Sequence, residues 1–181
     1  MKISDIPTIL QTRYCIVSDK ASLEPQWQKG KTLDYCKSKQ NTTVKGRKVN
    51  GIGLVTGEFD NVGLVAIDFD GESSHPLAKA ISPFLCESDT LAWTSGKKGR
   101  QQKLYQIPPE HLILWRGITF KRITEFDNIT CNKGEQLEIR YGNCQSVLPP
   151  SVHPETGKYQ WVTELSPRLL SLYQSNILLS F

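Results

Sequence analysis

The apolar positions of the chain fall mostly into short runs of strand length. "RYCIV" (13–17), "GIGLVTG" (51–57) and "GLVAIDFDG" (63–71) are rich in β-branched and apolar residues. The second and third are separated by "EFDN", a turn signal, so the pair predicts a β-hairpin. Further strands are expected at "TLAWTSG", at "QQKLYQIP" up to Pro108, at "QLEIRY", at "CQSVLPP", and after the turn that opens "PETGKYQWV". Three stretches predict helices: Leu33 to Lys39; "SSHPLAKAISPFL", with Ser74 as N-cap and Pro76 in the first turn; and "SPRLLSLYQSNILL", with Ser166 as cap and Pro167 at the first turn. "SDKASLEPQWQKGKT" reads as a loop. Many strands, few helices and mixed connections define an α+β class. With no internal repeat or low-complexity segment, residues 1–181 read as a single domain.

The same alternation brings out the first candidate chemistry. In "VGLVAIDFDGES" (62–73), Ile67 and Phe69 share one strand face, and Asp68 and Asp70 share the other. Gly71 lets the chain turn away. Two carboxylates side by side repel unless a cation sits between them, an arrangement that suits Mg²⁺ or Mn²⁺. In "QLEIR", Leu137 and Ile139 likewise share one face, and Glu138 and Arg140 the other. Glu138 would be a third carboxylate. Three carboxylates holding two metal ions is an arrangement used in nucleotidyl transfer.

Composition narrows the class. Hydrophobic residues make up 38% and charged residues 22%, as in an ordinary globular chain. No apolar run approaches the roughly 20 residues of a membrane helix. The start, "MKISDIPTILQTRYC", lacks the apolar core of a signal peptide, so a cytoplasmic protein is expected. Five cysteines without a C-x-x-C pair argue against a disulfide framework and against a zinc site. The net charge of +4 is unevenly spread. Between Thr94 and Arg122 lie seven basic residues and one acidic residue, Glu110; the segment before it carries Asp68, Asp70, Glu72, Glu87 and Asp89 against Lys79. An acidic cluster followed by a basic one suits a metal ion plus a polyanion.

The basic loop, "TSGKKGRQQKLY", combines Ser95 and Gly96 with Lys97, Lys98 and Arg100, groups suited to cradling a triphosphate, although no P-loop pattern is present. In "QSVLPPSVHPETGKYQW", two prolines fix the backbone ahead of Ser151 and His153, and a tight turn presents Lys158. This rigid frame suits phosphate or sugar binding. His75, beside a helix start, and His111, on a surface loop, read as structural.

Taken in order, "GIGLVTG", "VAIDFDG", "WTSGKKGRQQKLYQIP", "LEIR" and "SVLPPSVHPETGKYQW" resemble the prim-pol branch of the archaeo-eukaryotic primase superfamily, over roughly Cys15 to Val162. This is the N-terminal module of bifunctional DNA primase/polymerases, common in plasmids, phages and mobile elements. The resemblance implies an RRM-like mixed or antiparallel sheet joined to an N-terminal αβ unit. It also implies a template-directed nucleotidyltransferase working on single-stranded DNA template, primer and dNTP or NTP, with two Mg²⁺ or Mn²⁺ ions held by Asp68, Asp70 and Glu138. Ser95 and Gly96 match the family's second motif, but Gln102 stands where the family usually has a histidine that contacts the nucleotide's phosphates. Lys97, Lys98, Arg100 or Lys103 would then supply the missing charge, and Arg140 would touch phosphate or neutralise the carboxylates. Family members often continue into a helicase region, so the chain is expected to be the N-terminal part of a longer replication protein. Two alternatives stand beside this reading. One is a nucleic-acid-binding module with a decayed site, motivated by Gln102. The other is a D-x-D phosphohydrolase, which "VAIDFDG" suggests but the absence of an Asp-Asp pair disfavours.

Overall fold

A computed structural model of the chain describes residues 13–87, 89–163 and 167–181. Eleven strands form its main sheet. They are β1 (Tyr14–Ser18), β2 (Ala21–Ser22), β3 (Gly51–Phe59), β4 (Val62–Asp70), β5 (Ala92–Thr94), β6 (Arg100–Ile107), β7 (Phe120–Ile123), β8 (Gln136–Arg140), β9 (Cys144–Leu148), β10 (Gln160–Thr163) and β11 (Arg168–Leu169). The α-helices are α1 (Leu33–Ser38), α2 (Ser74–Ile81), α3 (Pro83–Glu87), α4 (Leu112–Trp115) and α5 (Leu172–Leu179). The longest path through the sheet is β10-β5-β6-β4-β3-β1-β2; β8 joins β4, β7 joins β8, β9 joins β3 and β11 joins β6. Pairing is antiparallel except between β11 and β6. The fold is therefore α+β, mostly antiparallel.

The expected hairpin is β3–β4. Its turn residues, Asp60 and Asn61, are left-handed with φ of 46° and 63°, a conformation that Asp and Asn tolerate better than most residues. Arg13, nearly buried, donates to the carbonyls of Phe59 and Val62 and lies over the Phe59 ring, which ties the hairpin end to the start of β1. The hairpin then opens. Only three residue pairs join β3 to β4, the last being Gly57 with Leu64. At Gly57, φ is 123°, and a Cβ there would lie 3.2 Å from the Gly142 Cα. Beyond this bend β3 pairs with β9, while β4 pairs with β8 from Ala66 to Asp70. Along its other edge β4 stays paired with β6 from Gly63 to Asp70.

The strand's apolar run is continuous because both of its faces are covered. Val65, Ile67 and Phe69 pack with Leu77 and Ile81 of α2, Leu85 of α3, Trp115 of α4 and Leu178 of α5. Leu64 and Ala66 face a second core containing Tyr14, Ile16, Cys36, Leu54, Trp93 and Leu104. Continuing that second face by two-residue steps reaches Asp68 and then Asp70. The cysteines are free thiols.

Several boundaries differ from the sequence expectation. The loop 18–32 contains β2 and a 3₁₀ turn, Trp27–Lys29. The helix expected across 73–85 breaks at Ser82, whose extended backbone separates α2 from α3; Ser74 is the first helical residue rather than the cap, and its hydroxyl donates to the Gly71 carbonyl. The final helix starts at Leu172, where Ser171 and Gln174 form a reciprocal capping box; the expected cap, Ser166, lies outside the described residues. Between residues 109 and 130 the structure adds α4, β7 and a small hairpin, Glu125–Phe126 with Ile129–Thr130, which the periodicity leaves unassigned. These pieces are too short for a period to register.

At the end of β4, Gly71 has φ of 120°, and a Cβ there would sit 2.3 Å from the Glu135 carboxyl carbon. That carboxylate accepts from the Ser73 N–H and hydroxyl and so fixes the exit from the strand. Gly71→Ala is expected to destabilise the protein by about 2 kcal/mol or more, combining a left-handed non-glycine backbone with an overpacked contact. Chemical denaturation should show a lower midpoint at unchanged slope.

Candidate active site

The fork between β3 and β4 frames a cavity of about 250 Å³. Its walls come from Asp68 and Asp70 on β4, Arg100, Gln101 and Gln102 on β6, Glu138 and Arg140 on β8, and Gln145, Ser146 and Val147 on β9; Lys20, Trp93, Ser95 and Tyr159 complete it. Strand register decides which groups meet. Gln102, Asp68 and Glu138 stand abreast on β6, β4 and β8, and Arg100, Asp70 and Gln136 form the next row. Like charges directly opposite on neighbouring strands destabilise a sheet unless something compensates.

The compensation comes from guanidinium and amide groups. Arg140 Nη1 lies 2.6 Å from Glu138 Oε2 and 3.8 Å from Asp68 Oδ2, between the two carboxylates. Arg140 also donates to the Gln145 carbonyl at 2.8 Å. Arg100 Nε is 2.9 Å from Asp70 Oδ1. The Gln102 amide donates to Asp68 Oδ2 at 2.6 Å, and the Gln136 amide to Glu138 Oε1 at 2.5 Å. Burial is the main force on Asp68 and pushes its carboxyl up to about 7; Glu138 and Asp70 push the same way, while Arg140 and Gln102 pull it back. Tyr159 on the cavity wall is raised to about 12, chiefly by burial, so its phenol stays neutral.

Several wall atoms have no hydrogen-bond partner within the described chain: Ser95 Oγ, Gln102 Oε1, Arg140 Nε, Gln145 Oε1, Ser146 Oγ and Trp93 Nε1. Ser146 and Trp93 are almost wholly buried. Buried polar atoms are normally paired, so these are exceptions concentrated among the residues of the cavity wall.

Of the residues expected from sequence, Asp68, Asp70, Glu138, Ser95, Arg100, Gln102 and Arg140 line this one cavity. The others are engaged outside its lining. Lys97 pairs with Glu155, and Lys98 with Glu72 at 2.9 Å. Gly96, left-handed with φ of 81°, donates its N–H to the Thr94 hydroxyl and sits beside Thr156. The Ser151 hydroxyl accepts from the Ile52 N–H at 2.9 Å and pins the loop to β3. His153 is buried; its Nδ1 accepts from the N–H groups of Glu155 and Thr156, and its ring meets Tyr159 edge-on. Lys158 is exposed on the hairpin formed by Val152–His153 and Gly157–Lys158. Lys103, expected as a spare cation, is buried and donates to the Cys86 carbonyl.

Lys20, Trp93, Gln145, Ser146 and Tyr159 belong to the site although sequence reading passed over them. Gln145, a polar residue inside an apolar strand, carried a faint signal. Lys20 carried none, because its turn is remote in sequence from every motif.

The donor set is oxygen-only and gathers three carboxylates on one face, which fits a hard divalent ion. Among the described residues no group of three acidic, histidine or cysteine side chains is placed to hold a metal ion, and Arg140 lies between Asp68 and Glu138.

The chain matches the family model for the bifunctional DNA primase/polymerase N-terminal domain, Prim-Pol, over residues 13–171, and it belongs to that family. A search of curated proteins finds no match. Membership implies a DNA primase/polymerase-type function with DNA and nucleotides as substrates.

Because the folded Asp68 carboxyl is raised, its contribution to stability is complete below about pH 4, the unfolded value, and is lost as pH rises through about 7. In chelator, Asp68→Asn should therefore gain stability relative to the parent above neutral pH and show a flatter profile. Urea unfolding at a series of pH values checks this. A parent profile no steeper than that of Asp68→Asn would contradict it.

Proposed function

We propose that the chain is a template-directed nucleotidyltransferase that adds nucleotides to a primer 3′-hydroxyl, with Asp68, Asp70 and Glu138 as its metal-binding carboxylates. The observation that carries this reading is the abreast placement of Asp68 and Glu138, with Asp70 one row on, lining a cavity whose wall also holds Arg100 and Arg140. Two Mg²⁺ or Mn²⁺ ions held by these carboxylates would supply acidification of the attacking hydroxyl and charge neutralisation at the leaving pyrophosphate.

The chain's own groups do the positioning. Gln102 holds Asp68 by its amide, so the position where the family usually has a histidine here orients a carboxylate. Arg140 and Arg100 balance the carboxylates and bring positive charge to the place where a triphosphate would lie. Trp93 and Tyr159 give the wall rigid aromatic surface beside the polar atoms of Ser95 and Ser146. Ser151 and His153 act at one remove, by fixing the loop that carries Tyr159 and Thr156. Such a site works through orientation and electrostatics, with little covalent chemistry asked of side chains.

The test is extension of a primed single-stranded template with labelled nucleotides in Mg²⁺ or Mn²⁺, run beside an unprimed template. The double variant Asp68→Ala with Asp70→Ala is expected to lose about 10³-fold or more in rate, the equivalent of some 4 kcal/mol of barrier. Glu138→Ala should fall comparably. Unchanged extension by the double variant would overturn the assignment. A parent that binds DNA in a salt-dependent way but never extends a primer is the decayed binding module that Gln102 motivates.

A further inference from the structure

The β1–β2 turn is a two-residue connection whose central residues, Asp19 and Lys20, both have left-handed backbones, with φ of 47° and 73°. Lysine rarely adopts this conformation, and a strained backbone persists only where its surroundings over-determine it. Here they do. Asn50 accepts from the Asp19 N–H at 3.1 Å and donates to the Asp19 carboxylate at 2.8 Å. Arg47 donates to the Ser18 carbonyl at 3.0 Å. From inside the cavity wall, the Gln145 amide donates to the Lys20 carbonyl at 2.7 Å. The same Gln145 side chain lies against Gly53, where a Cβ would approach its Oε1 to 2.3 Å. Two separate segments, 47–50 and the one carrying Gln145, thus fix the turn so that Lys20 lines the cavity, on the β3 side of the fork and away from the carboxylate strands β4 and β8.

Beside the Lys97 ion pair, the charge of Lys20 helps to lower Glu155, and beside burial it disfavours a charged His153. The other cations of the cavity, Arg100 and Arg140, are ion-paired to its carboxylates, and Lys97 and Lys98 of the adjacent loop pair with Glu155 and Glu72. Lys20 has no ion-pair partner among the described residues. Gln145 and Ser146 line the same cavity.

We infer that Lys20 is a phosphate-binding residue of this cavity, donating from its ammonium to phosphate oxygens of the ligand held there. The inference rests on reading the cavity as the nucleotide site, and it adds a cation from a part of the chain that no motif marks. The phosphate belongs either to the incoming nucleotide or to a strand of nucleic acid, and two binding arms separate these. In one, calorimetry measures tripolyphosphate and a dNTP with Mn²⁺; in the other, fluorescence anisotropy measures a short single-stranded oligonucleotide.

Lys20→Ala is expected to weaken binding about tenfold or more in one arm, the loss typical of a hydrogen bond to a charged group, while Lys20→Arg retains most of it. The arm that changes names the source. Equal affinity of Lys20→Ala and the parent in both arms, with circular dichroism and melting unchanged, overturns the proposal. So does a loss that Lys20→Arg fails to restore. A parent that extends primers while Lys20→Ala binds normally refutes this inference and leaves the proposed function standing. A parent that extends nothing, yet binds tripolyphosphate through Lys20, does the reverse.

Discussion

The structure turns on a change of partner along one strand. β4 is held on one edge by β6 throughout, but on the other edge it passes from β3 to β8 within a few residues. Without that change the hairpin would zip shut, and Asp68 would stand beside a β3 residue rather than beside Glu138. The bend at Gly57 and the close approach of Gly142 make the divergence possible. β9 follows β3 into the opening, and the space left between becomes the cavity.

Within that frame the balance of charge is local. Two carboxylates abreast in a largely enclosed site are unfavourable, and the site answers with Arg140 between them, Arg100 on the next row and an amide on each side. Burial still leaves Asp68 well above its ordinary range. A carboxylate raised by burial gains most from a strong cation, and an arginine that bridges two carboxylates is a weaker neutraliser than a divalent ion. The metal-binding role proposed for these residues and the guanidinium pairs seen here are two answers to the same excess of negative charge. The rigid 148–159 segment supports this from behind: Ser151 locks it to β3, His153 caps its turn, and Tyr159 reaches the wall.

Much of the carboxylate side of the site was legible in the sequence, since strand periodicity alone places Asp68 with Asp70 and Glu138 with Arg140. The hairpin and the α+β class follow from the same alternation and from the "EFDN" turn. Helix ends were less legible. Ser74 and Ser166 had the right chemistry for caps, yet Ser74 bonds back to Gly71 as the first helical residue, and the described final helix is capped by Ser171. The "SVHPETG" stretch read as a ligand cradle because serine and histidine at a rigid loop suit phosphate as well as they suit backbone; only the folded loop shows both side chains bonded to main chain.

By itself, then, the sequence determined the faces of each strand, the class of fold and the resemblance that family membership bears out, because period-two alternation and short motifs are local properties. Tertiary structure decided register and partnership: that Glu138 lies opposite Asp68, that Gln102 serves Asp68, that Lys97 and Lys98 are paired outside the cavity lining, and that Lys20 comes to the cavity from a distant turn. Those outcomes depend on which strand edges meet and on charges separated by tens of residues. No local pattern encodes them, because the energies that settle them exist only once the sheet has formed.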